Sequence, residues 1–218
     1  MTYAIARAPL TATDNGVFMV LDSPLPQLTG SLVDLLGNDG ITATYTTMAT
    51  GRMIGTFPIT PVLSDPTNRP PNYNLTSKNG TLTAQYAAVG GVCDGDYGHQ
   101  IRSPIAANGT STFKQGSTIA AKFRVCDALG NSISAANASG VPVVASFNLV
   151  QIINGTVVQT VDQTAASTTP DMALRWDSTS QQWVFNISTS NLLKGATYIY
   201  VISLNDGTSI QFQYGLPR

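Results

Sequence analysis

Two cysteines, Cys93 and Cys126, stand 33 residues apart in a chain otherwise rich in Ser and Thr. One pair closes one loop, and a disulfide persists outside the reducing cytosol. By loop-closure entropy, a bridge of this span stabilises a fold by roughly 3–4 kcal/mol. The alternative is two unrelated buried thiols behaving as small apolar groups. Zinc ligation needs more than two cysteines and the distant His99, so no metal centre is expected there. Asp94 and Asp96 flank Gly95 and offer the oxygens and flexibility of a partial calcium loop. Calcium takes about 6–8 oxygens, and the EF-hand spacing ends in a bidentate Glu. All 12 acidic residues here are Asp, so a solvated Asp-Gly turn is the plainer reading. Neither a metal nor a cofactor is expected.

Catalysis by nucleophilic attack needs a base beside a nucleophile, and the chain holds 1 histidine, His99. The chain lacks the Gly-x-Ser-x-Gly, Gly-x-Gly-x-x-Gly and phosphate-loop patterns. A Ser-His-Asp arrangement is defined by geometry rather than by sequence order. A single histidine in a turn-rich polar stretch nevertheless reads as a surface residue, and the chain as a protein without a catalytic site. Trp176 and Trp183, with Tyr198, Tyr200 and Tyr214, have the flat faces of a sugar platform. Parity argues against one: Leu174 shares a face with Trp176, and Trp183 shares one with Phe185 and Ile187, which places both tryptophans in the core. Lys122, the lysine most clearly on a strand, alternates away from Phe123 and reads as solvated or ion-paired rather than cross-linked. Six Asn-x-Ser/Thr sequons, at Asn74, Asn79, Asn108, Asn137, Asn154 and Asn186, follow from composition and carry no argument.

The elements that must position these residues are strands. Thr, Ser and Asn together make up 59 of the 218 residues, and Glu is absent. Thr favours strands, Ser, Asn and Asp favour turns, and the usual residues of helix surfaces are scarce. Period-two alternation recurs in runs of 5–8 residues bounded by Gly, Pro, Asn or Asp, the spacing of a β-sandwich. Ile119, Ala121, Phe123 and Val125 alternate with Ala120, Lys122 and Arg124; Trp183, Phe185 and Ile187 alternate with Val184, Asn186 and Ser188. Residues 198–204 and 209–214 flank Asn205-Asp206-Gly207-Thr208, where Asp-Gly predicts a hairpin with two positive-φ positions. Looser alternation marks residues 10–13, 42–47, 55–60, 73–77 and 81–86. Leu25, Leu28, Leu32 and Leu35 admit a short helical turn over residues 32–36. Pro61, Pro66, Pro70 and Pro71 predict an exposed loop or edge with no central strand.

The longest apolar runs are far short of the roughly 20 residues of a membrane helix, so this segment is expected to lack a membrane span. A net charge of −1 lacks the basic cluster that displaces counterions from phosphates, which argues against nucleic acid as a partner. Met1-Thr2-Tyr3-Ala4 lacks the pattern of a signal peptide, and the alternation of residues 2–12 reads as the interior of a longer chain. The small, uncharged joint Ala87-Ala88-Val89-Gly90-Gly91 sets a boundary between residues 1–87 and 88–218.

Ala8-Pro9-Leu10-Thr11-Ala12-Thr13, Gly55-Thr56-Phe57-Pro58-Ile59-Thr60 and Asn72-Tyr73-Asn74-Leu75-Thr76 leading into Asn79-Gly80-Thr81-Leu82-Thr83 resemble the MBG module. That is a bacterial immunoglobulin-like repeat of secreted, tandem-array proteins. From about Val89 onward the chain resembles a PxKF domain, a module placed at the C-terminal end of bacterial surface proteins. The motif is residues 116–125, Gly-Ser-Thr-Ile-Ala-Ala-Lys-Phe-Arg-Val, with Ala120 where the family's name motif has Pro; Trp183-Val184-Phe185-Asn186 supports it. The resemblance implies an all-β chain of two immunoglobulin-like β-sandwich domains in tandem. It implies a non-catalytic structural spacer, extracellular or on the cell surface, whose partners are upstream domains of the same longer chain. The alternative is an adhesion module for a polysaccharide or another surface protein.

Overall fold

The computed structural model describes residues 6–37, 39–65, 70–87, 92, 93, 96–134, 142–169 and 174–218. The chain is all-β. Its residues group into two units, one of residues 1–19 and 24–84, the other of residues 20–23 and 85–218.

The first unit has seven strands: β1 (Ala8–Asp14), β2 (Val17–Val20), β3 (Gly30–Val33), β4 (Thr42–Thr47), β5 (Gly55–Ser64), β6 (Tyr73–Lys78) and β7 (Thr81–Gln85). They form one sheet of order β3-β1-β6 and another of order β2-β7-β5-β4. β1 runs antiparallel to β3 and parallel to β6, with Leu10 opposite Leu75 in the parallel pair. Alternation makes the core: Leu10 and Ala12 on β1, Ile59 on β5, and Leu82 and Ala84 on β7 are buried, while the residues between them are at least partly exposed. Leu63 of β5 packs with Leu10 and Tyr73 of the other sheet, so the two sheets face one another as a sandwich.

Two expectations fail here for identifiable reasons. Residues 30–33 form a strand rather than entering a helical turn: Leu32 turns inward against Leu10 and Tyr73, Val33 stays exposed, and Asp34, in the left-handed region at φ 70°, ends the run. Pro61 lies within a strand that is interior to its sheet. β5 changes partners along its length, pairing with β7 over residues 55–58 and with β4 over residues 59–64. Along each half one edge is unpaired, and an unpaired edge tolerates a residue with no N–H. Pro66 lies outside the described residues, and Pro70 and Pro71 open a short 3-10 turn.

The second unit contains β8 (Val92–Cys93), β9 (Asp96–Tyr97), β10 (Ile101–Arg102), β11 (Thr118–Phe123), β12 (Val144–Asn154), β13 (Val157–Thr164), β14 (Arg175–Asp177), β15 (Gln182–Ser188), β16 (Ala196–Leu204) and β17 (Ser209–Leu216). β8 and β9 make a two-stranded ribbon; the others make sheets of order β10-β11-β15-β14 and β13-β12-β16-β17. Ile119, Ala121, Phe123, Phe185 and Ile187 from the first sheet and Phe147, Tyr200, Ile202, Phe212 and Tyr214 from the second are buried. Phe147 meets Phe185 edge-on, with ring centroids 4.7 Å apart, and this contact joins the two sheets. The hairpin of β16 and β17 forms, but Gly207 alone in its turn has positive φ. Leu204 N bonds Thr208 O at 2.9 Å and Gly207 N bonds Leu204 O at 3.2 Å, so the turn closes over three residues with glycine in the left-handed place.

Candidate functional site

The residues singled out for chemistry fall into three groups in the second unit. Cys93 at the end of β8 and Cys126 just past β11 are joined as a disulfide, with Cα atoms 5.8 Å apart. β11 ends at Phe123, so strict alternation no longer governs Cys126, which is fully buried. Ala87 N, in the segment entering the unit, donates to Cys126 O at 2.8 Å, and Arg124 Nη1 donates to Cys93 O at 3.3 Å. Asp94 lies outside the described residues, as do residues 88–91 of the joint and Asn137. Among the described residues, no three His, Cys, Asp or Glu side chains gather as a metal site.

The second group corrects the reading of His99 as a surface residue. It is buried at 3% exposure, with φ at 54°, beside Tyr86 and under the β16–β17 turn. Its Nε2 lies 3.1 Å from Thr208 Oγ1, and Thr208 Oγ1 donates to Asp206 Oδ1 at 2.6 Å. Because the Thr208 proton goes to Asp206, His99 Nε2 must be the donor toward Thr208. The order is therefore histidine, hydroxyl, carboxylate. A catalytic triad instead needs the histidine between the hydroxyl and the carboxylate, so that the ring can take the hydroxyl proton. Asp206 also accepts from Tyr86 N at 2.8 Å and Thr208 N at 2.9 Å, while Tyr86 Oη donates to Asn205 Oδ1 at 2.7 Å. These bonds make the cluster a latch that pins residues 86 and 99 to the terminal hairpin. Burial lowers the His99 pKa below its ordinary 6.5, and the Asp206 carboxylate opposes this in part.

The third group is aromatic. Trp176 and Trp183 are cross-strand partners on one face, with centroids 5.6 Å apart. Trp183 is buried and its Nε1 donates to Ile133 O at 3.0 Å, while Trp176 is half-buried over it. Tyr198, Tyr200 and Tyr214 are buried too, and Tyr214 Oη donates to Tyr200 Oη at 3.1 Å. Burial pushes the Tyr200 hydroxyl up to about 12 and Tyr214 further. These five rings form no exposed sugar platform. Lys122 stands on the opposite face of β11 from Phe123, half-buried.

Residues 10–83 match the family model of the MBG domain (YGX type). The first unit is therefore similar to an MBG domain over nearly its whole length. No curated protein matches the chain. Among solved structures, the Bacteroides ovatus mixed-linkage glucan utilization locus SGBP-B, in complex with a mixed-linkage heptasaccharide, aligns with 100% of this chain at 12% identity and a TM-score of 0.22. The chain spans 46% of the length of that one.

Proposed function

We propose that this chain is a non-catalytic structural segment of a larger bacterial secreted or cell-surface protein, two sandwich modules that hold other parts of the protein apart. The observation that carries the reading is the match of residues 10–83 to the MBG domain, in a chain where a second sandwich with its own core follows. We read that second unit as PxKF-like on its residues 116–125. The disulfide suits an oxidising, extracytoplasmic setting. His99, the histidine that any triad here would need, supports the non-catalytic reading because its proton geometry is that of a donor.

Pulling on the chain from its two ends tests this. A spacer of two modules gives two separate unfolding events per chain. Chemical reduction adds about 110 Å to one of them, the reach of the 33-residue loop at roughly 3.3 Å per residue. A single event, or extension without a force peak, contradicts the reading.

A further inference from the structure

Asp14 in the first unit occupies a position where a carboxylate is costly. It ends β1 on the face that Leu10 and Ala12 turn to the core, and it is 6% exposed. Both of its carboxyl oxygens are buried without a hydrogen-bond partner. Its neighbour Asn15 is fastened, with N bonded to Thr29 O at 2.9 Å and Nδ2 to Thr29 Oγ1 at 3.0 Å. The packing at this end of the sandwich is close. Gly30 lies opposite Asp14 on β3, and a Cβ there would stand 2.5 Å from the Tyr45 ring; a Cβ on Gly80 would stand 2.6 Å from Asp14 O. These two glycines let the Tyr45 ring and the β6–β7 turn close on the end of β1. Of the strands packed here, β4 brings the Tyr45 hydroxyl, whose pKa is pushed up by burial and then by the Asp14 charge. Lys78 of β6 pairs with Thr13, so alternation sets it on the outer side of the sheet, where it is exposed. β2, β3, β5 and β7 carry no titratable residue. Burial raises the Asp14 pKa above its ordinary 3.8; the Gly80 backbone N–H opposes this in part without closing a hydrogen bond, and among the described residues no charged side chain does.

We propose that Asp14 is a proton-operated catch of the first unit: with its proton the carboxyl lets the end of β1 seat against Tyr45 and the β6–β7 turn, and loss of the proton drives this end of the sandwich open toward water. An ionised carboxyl taken out of water without a partner is costly, and it either takes up a proton or regains solvent. The folded unit therefore holds more protons than the unfolded chain between the ordinary carboxylate pKa and the folded value. The stabilising contribution of the protonated form is complete below 3.8 and is lost as pH rises through the folded value. This sign is opposite to that of His99, whose burial favours the uncharged ring. Acidification thus tightens the first unit while it weakens the second, which sets the order in which the two yield. The proposal stands on the packing of the first unit alone and holds whether or not the chain is a spacer.

The test uses the full chain and two NMR readouts. The first follows the Asp14 carboxyl carbon as pH is varied; the second follows urea unfolding from about pH 4 to about pH 7.5 through the amides of Leu10, Ile59 and Leu82, which report the first unit alone. The proposal expects Asp14 to titrate above 3.8 and the first unit to unfold at lower urea as pH rises. Its folded-to-unfolded ratio should fall tenfold for each pH unit that separates the measured Asp14 midpoint from 3.8. Asp14→Asn, which keeps the shape and removes the charge, should flatten this dependence and make the first unit more resistant to urea than the unaltered chain at the upper pH. Both readouts on the unaltered chain decide the matter even where the variant does not fold. The proposal is overturned by an Asp14 midpoint at or below 3.8, by a first unit whose urea resistance is constant or grows with pH, or by an Asp14→Asn chain that keeps the slope.

Discussion

His99 is the residue whose surroundings differ most from what its neighbours in sequence imply. Residues 97–100 look like a polar turn, yet the ring is covered by a hairpin more than a hundred positions later, with Thr208 as its partner. Burial depresses its pKa, so the folded state binds fewer protons than the unfolded state between the folded value and 6.5. The stability contribution is therefore complete above the unfolded pKa and is lost as pH falls below it, levelling off under the folded value. Thermal melts between about pH 7.5 and 5.5 should show the second unit weakening as pH drops, and His99→Gln should flatten that slope. An unchanged slope in the variant would place the titrating group elsewhere. The disulfide was readable beforehand because two cysteines in a Thr-rich chain leave one pairing. The latch was not, because a hydrogen bond between positions 99 and 208 has no local signature.

At the scale of elements, alternation carried most of the strands, since a half-buried strand writes its two faces into the sequence at period two. Ile119 to Phe123 and Trp183 to Ile187 lie in strands with the faces that alternation assigns. β13 escaped for the converse reason: seven of its eight residues are exposed, so it shows no apolar face. The Pro61 strand escaped because counting prolines assumes a strand paired on both sides throughout. Close packing of strands also makes a prediction. A Cβ at Gly30 would come within 2.5 Å of the Tyr45 ring and collide with the Thr13 carbonyl oxygen, whereas at Gly155 it would meet nothing within 4 Å. Gly30→Ala should destabilise the first unit by about 1–3 kcal/mol through overpacking. Gly155→Ala, at φ +61, should cost about 1–2 kcal/mol from backbone strain alone. Chemical denaturation of both variants checks this; a Gly30→Ala variant as stable as the unaltered chain would mean that β3 and β4 can shift apart freely.

At the scale of the molecule, the account rests on two sandwiches with separate cores, one built around Ile59 and Leu82, the other around Phe123, Phe147 and Phe185. A buried leucine or phenylalanine truncated to alanine leaves a cavity and costs about 3–5 kcal/mol, felt wherever the damaged core is shared. Hydrogen exchange on the unaltered chain, Leu82→Ala and Phe123→Ala therefore reads the division directly. The account predicts that Leu82→Ala lowers amide protection across β1, β5 and β7 and leaves β11, β15 and β16 unchanged, and that Phe123→Ala does the reverse. Loss of protection through both sets of strands in either variant would show one shared core and contradict the reading of the chain as modules in series.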